Sequence, residues 1–170
     1  CLVELIRAES MDLGVLNGAL QTLVALGPPA LPRLEPLLTH ESPEVRQSAA
    51  VVLGQLEAPL GVPMLLILLD DADSNVRYHA IEALGQQGAL VAVPRLLELA
   101  VSGDAFLSFA ALEALASIQD PSALPELIGL LEDPLLAGSA AQALGRIGHP
   151  LALRPLLGVL PSVEEAPEAL

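Results

Sequence analysis

The chain of 170 residues carries 21 acidic against 7 basic residues, a formal net charge of −14, with 53% hydrophobic residues and three aromatic side chains. The basic residues are all Arg and are scattered, so the clustered phosphate neutralisation that drives nucleic-acid binding is missing and no nucleic-acid partner is expected. The longest apolar run, Val62 to Leu69, contains Pro63 and falls well short of the about 20 residues that a membrane span needs. A single cysteine excludes an internal disulfide framework.

The first residues, Leu2-Val3-Glu4-Leu5, resemble Leu96-Leu97-Glu98-Leu99 further on, so residues 1–8 read as the second helix of an incomplete repeat. Cys1 leads straight into this helical pattern and not into the polar tether of a lipid-modified terminus. No targeting segment is visible, which leaves the cytoplasm as the default compartment. From there a phrase recurs. Its first slot holds Val15, Val45, Val76, Leu107 and Leu136; its second Ala19, Ala49, Ala80, Ala111 and Ala140; its third Leu23, Leu53, Leu84, Leu115 and Leu144. The columns advance by 30, 31, 31 and 29 residues. A period of this size means a stacked repeat array, because one copy cannot bury its own apolar face.

Within each copy the slots fall on one stripe of an α-helix, the A helix, with Ala where helices approach closely. Pro43 and Pro134 suit a helix start, and Gly27, Gly88 and Gly148 suit a left-handed helix end. Pro32, Pro63, Pro94 and Pro125, with Arg154 in the last copy, open a shorter B helix. Two columns run along it: Leu34, Leu65, Leu96, Leu127 and Leu156, then Leu37, Leu68, Leu99, Leu130 and Val159. The predicted repeats are 13–39, 43–70, 74–101, 105–132 and 134–160, followed by an acidic linker or tail over 161–170. Neither end supplies a polar capping repeat, so the chain reads as a segment of a longer protein.

The phrases Pro43-Glu44-Val45-Arg46 and Asn75-Val76-Arg77-Tyr78-His79-Ala80, with their columns, resemble HEAT repeats of the short bacterial type, also called phycobilisome-lyase-like or E-Z-type repeats. The resemblance implies an all-α, right-handed α-solenoid of about five repeats plus a preceding half repeat. It also implies that the Arg after the first slot joins acidic turn residues in a ladder along the stack, pairing Arg46 and Arg77 with Asp70, Asp71 or Asp73. Leu16, Ser108 and Ala137 replace that Arg elsewhere, so the ladder should weaken in the fourth and fifth copies.

No catalytic set is recognisable, and a non-catalytic protein-interaction scaffold is expected, with no cofactor. Asp71, Asp73, Asn75 and Glu82 imitate a calcium loop, but Val76 stands where the loop needs Gly, and the turn is better read as a helix cap at Asp73 or Ser74. Resemblance to the deoxyhypusine hydroxylase type would require several His-Glu pairs to hold iron, and His40-Glu41 is alone. Bilin lyase subunits share the repeat type, so the alternative is a subunit of an enzyme complex that handles a chromophore. Arg33 and Arg95 could meet its propionates, although no aromatic wall accompanies them.

Two surfaces are candidates for a protein partner. The family places the B helices on the concave face, where the slots left over from the core hold Arg33, Met64, Arg95 and Glu126, then Ile67 and Glu98. Met64 and Ile67 form an apolar spot between Arg33 and Arg95, suited to a segment combining apolar and acidic residues. The alternative lies on the A helices, where Tyr78 and Phe109 share a slot in adjacent copies and Phe106 lies one turn before Phe109, close enough for the rings to touch.

Overall fold

The computed structural model describes residues 13–57 and 59–159, with side chains from residue 18 onward. Residues 1–8 and the 161–170 tail lie outside this range, as does the side chain of Val15. No strand occurs among the described residues.

Helices alternate long and short. The A helices are α1 (Leu13–Leu26), α3 (Pro43–Gln55), α5 (Ser74–Gln86), α7 (Ala105–Ile118) and α9 (Ala137–Ile147). The B helices are α2 (Leu31–Leu34), α4 (Val62–Leu68), α6 (Val93–Ala100), α8 (Leu124–Gly129) and α10 (Leu153–Val159). Three A helices start on a side-chain cap, which satisfies amide groups that the helix itself leaves free. Ser42 Oγ accepts from Val45 N, Asp73 from Asn75 N and Val76 N, and Asp104 from Phe106 N and Leu107 N. Asp133 makes the same bonds to Leu135 N and Leu136 N, although there a single turn intervenes before α9 begins.

At the helix ends Gly27, Gly88 and Gly148 have φ of 63°, 60° and 64°, the left-handed geometry expected of them. The fourth copy has no glycine there, and Gln119 adopts φ 58° in its place. Its side chain compensates, because Nε2 donates to the Arg146 carbonyl in the following repeat at 2.7 Å. Replacing Gln119 by Gly removes both the backbone strain and the bond, each of about 1 kcal/mol, and should leave stability nearly unchanged. Replacing it by Ala loses the bond and keeps the strain, so it should cost about 1 kcal/mol. Denaturant melts of the three proteins check the order, and an Ala variant as stable as the parent would refute it.

One core runs the length of the stack. The Ala column is buried throughout, from Ala19 at 7% exposed to Ala49, Ala80, Ala111 and Ala140 at 0%. Leu34, Leu65, Leu96 and Leu127 of the B helices are likewise at 0%, each contributing about 1.5–3 kcal/mol over an exposed side chain. The second B-helix column is less uniform than its spacing suggests. Leu37 and Leu68 are buried, but Leu99 and Leu130 are half-buried, and their neighbours Ala100 and Leu131 turn inward. Most B helices are entered through a 3-10 turn, Pro28–Ala30, Leu90–Ala92, Pro121–Ala123 and Pro150–Ala152. Each turn ends on a buried alanine, and Gly61 fills that place in the second copy.

Successive A helices pack backbone to backbone through small residues. A methyl group added at Gly54 would lie 2.7 Å from Ala83 Cβ, and one at Gly85 would lie 2.9 Å from Ala114 Cα. Polar ties reinforce this contact. Arg46 grips Asp71 with two bonds of 2.7 and 2.8 Å and also donates to the carbonyls of His40 and Glu41. Arg77 repeats the inward half of this arrangement, donating to the carbonyls of Asp71 and Ala72. Its ion pair, however, is to Asp104 at 3.9 Å and not to a carboxylate of the preceding turn. The ladder therefore steps forward, each Arg reaching from its own turn to the aspartate of the next. Asp71 is already taken by Arg46, and Asp73 caps α5. In the fourth copy Ser108 stands in the Arg slot, buried, with its hydroxyl donating to the Leu99 carbonyl at 3.3 Å.

Candidate functional site

The B helices carry the first candidate surface. Their non-core slots face away from the A helices because the leucine columns occupy the other side of each short helix. Ile67 is 63% exposed, whereas Met64 is half-buried and packs against the core. Arg33 is exposed. Arg95 is held between two carboxylates, Glu98 one turn on and Asp70 of the preceding repeat at 2.5 Å. These neighbours, Glu98 foremost, raise the guanidinium pKa above its ordinary value. Of the two guanidinium groups expected to border the Met64 and Ile67 spot, that of Arg95 is thus already engaged within the molecule.

The structure brings together Glu98 and Glu126, which come from adjacent B helices. Both line a cleft of about 510 Å³ between α6 and α8, whose apolar wall is Val93, Pro94, Leu97, Val101 and Leu130. Val101, just beyond the end of α6, is 63% exposed. Sequence reasoning missed it, although the column held the signal: the equivalent positions carry Thr39, Asp70 and Glu132, and only the third copy places an aliphatic residue there. Arg33, Met64 and Ile67 lie outside this cleft.

On the A helices Tyr78 and Phe106 stack with centroids 4.8 Å apart and planes 16° from parallel, and His79 meets Tyr78 edge-on at 5.4 Å. Phe109, 40% exposed, makes no ring contact among the described residues. Two of the three rings therefore join α5 to α7, at the step where the Arg ladder thins. A smaller cleft of about 210 Å³ lies beside them, with Tyr78, Glu82, Gly85 and Glu113 in its wall.

The acidic turn that imitates a calcium loop is committed to structure. Asp71 accepts from Arg46, which holds its carboxyl below the ordinary carboxylate range, and Asp73 caps α5. Among the described residues no three His, Cys, Asp or Glu side chains gather as a metal-holding group, and no helix is long and apolar enough to cross a membrane.

The alternating helix pairs, the buried Ala column and the Arg ladder together define an α-solenoid. The family model described as HEAT repeats matches residues 2–71, 31–110, 62–137 and 108–167. The chain belongs to the HEAT-repeat family. A search of curated proteins returned no match.

Proposed function

We propose that the chain is a non-catalytic protein-interaction scaffold that receives its partner on the B-helix face, the concave side in this family. The observation that carries the reading is apolar exposure: Ile67 and Val101, in neighbouring repeats, each stand 63% exposed, and Val101 lines the cleft between α6 and α8. Exposed aliphatic groups around a concavity favour association because a partner removes them from water. The chromophore-handling alternative would draw on Arg33 and Arg95 for the propionates, and of these Arg95 already serves Asp70 and Glu98.

The test is capture of partners from a native extract by the parent chain and two double variants. Ile67→Ser with Val101→Ser alters exposed positions and leaves Met64 in its packing, so helical circular dichroism should persist while capture falls at least tenfold. Tyr78→Ala with Phe109→Ala should retain capture. The reverse result would move the interface to the A helices, and full capture by both variants would sink the reading.

A further inference from the structure

The chemistry of the B-face partner can be narrowed from the α6–α8 cleft. We propose that this cleft takes an extended segment of a partner protein that combines a large aliphatic side chain with adjacent arginine or lysine; the proposal rests on the scaffold reading above. At about 510 Å³ the cleft is of a size that holds ligand groups, and its floor of Leu97, Val101 and Leu130 offers only apolar contact. Its rim is acidic. The Glu126 carboxylate makes no hydrogen bond or ion pair with a described residue, while Glu98 shares the Arg95 guanidinium with Asp70, which lies outside the cleft. Two carboxylates thus line the cleft and no cation does, within a chain of formal net charge −14. A second copy of so acidic a chain would be repelled, and an acidic segment would meet unbalanced carboxylates at the rim. A basic segment would be drawn in by the field and held by the apolar floor.

The probes are fluorescein-labelled peptides of one length on a Gly-Ser background: one with a leucine flanked by arginines, one with the arginines changed to glutamates, and one with the leucine changed to serine. Fluorescence anisotropy with the parent chain should show saturable binding of the first alone, weakening as salt is raised. Glu98→Gln with Glu126→Gln should weaken it about tenfold, and Val101→Arg, which puts a charge into the cleft, should abolish it. Circular dichroism and sedimentation check that the variants, all at exposed positions, remain folded and monodisperse. No binding of the basic leucine peptide, equal binding of the glutamate peptide, or unchanged affinity in the Gln variant would each overturn the proposal. Self-association of the parent that Val101→Arg abolishes would make the occupant a second copy and overturn it too. If extract capture depends on Ile67 and Val101 while the peptides fail, the scaffold reading stands and only the basic-segment assignment falls.

Discussion

Replacing Gly61 by alanine is expected to destabilise the fold by about 3 kcal/mol, at the upper end of the cost of overpacking. A methyl group there would lie 2.4 Å from the Leu53 carbonyl oxygen and 3.0 Å from its carbon, and these are backbone atoms of α3 that no rotamer change can move aside. The conflict is specific to this copy, because Ala30, Ala92, Ala123 and Ala152 hold the equivalent place and are fully buried without strain. Those four close a 3-10 turn before their B helix, whereas Gly61 closes an ordinary turn at residues 59–61. Gly88→Ala supplies the control: its φ of 60° disfavours a side chain by about 1–2 kcal/mol, but the space around it is open. For a chain of this size the Gly61 variant should melt roughly 6–12 °C lower than the parent. A shift no larger than that of Gly88→Ala would show that α3 and α4 do not meet this closely.

Removing the Asp71 carboxylate is the second large effect. The Arg46 and Asp71 side chains are 13% and 8% exposed, so Asp71→Ala strands a guanidinium with little water to replace its partner. The two carbonyl bonds to His40 and Glu41 remain, and a loss of about 3 kcal/mol is expected. The pH dependence has a definite sign. Arg46 depresses the Asp71 pKa in the folded state, so at acidic pH the unfolded chain binds more protons at this site than the folded one. The stabilisation is present above the unfolded value and drains away as pH falls through the folded one. The gap in unfolding free energy between parent and Asp71→Asn should therefore be widest near neutrality and shrink on acidification below about pH 4. A gap that is constant across this window would mean that the ion pair does not set the acid stability.

The five Ala slots and the leading Leu column were legible because burial in a repeat array is periodic, and period is what a sequence displays. The inter-repeat links were less so. Arg77 pairs with Asp104 and not with the turn before it, since the direction of such a link depends on the offset between neighbouring helices, which a column does not record. The tight fit at Gly61 was hidden for the same reason: its distance to Leu53 follows from how the chain enters α4. Gln119 shows a different limit, a left-handed position where a side-chain bond stands in for glycine. At the candidate site Ile67 was visible as an apolar residue in a solvent slot. The pairing of Glu98 with Glu126 across one cleft needed the spacing of α6 and α8, and Val101 lay one residue beyond the slots that the B-helix pattern defines.

The Arg ladder also makes the joints between repeats chemically unequal. Between α3 and α5 the joint has a short bidentate ion pair, an Ala against a Gly, and the Gln87 amide donating to the carbonyls of Leu53 and Leu56. Between α5 and α7 the ion pair stretches to 3.9 Å and an aromatic stack shares the load. In a stack coupled only through nearest neighbours, each joint sets one angle between two repeats. The cleft between α6 and α8 lies across that second joint, so the angle between the third and fourth repeats fixes its width, as the angle of a pair of calipers fixes the gap between its jaws.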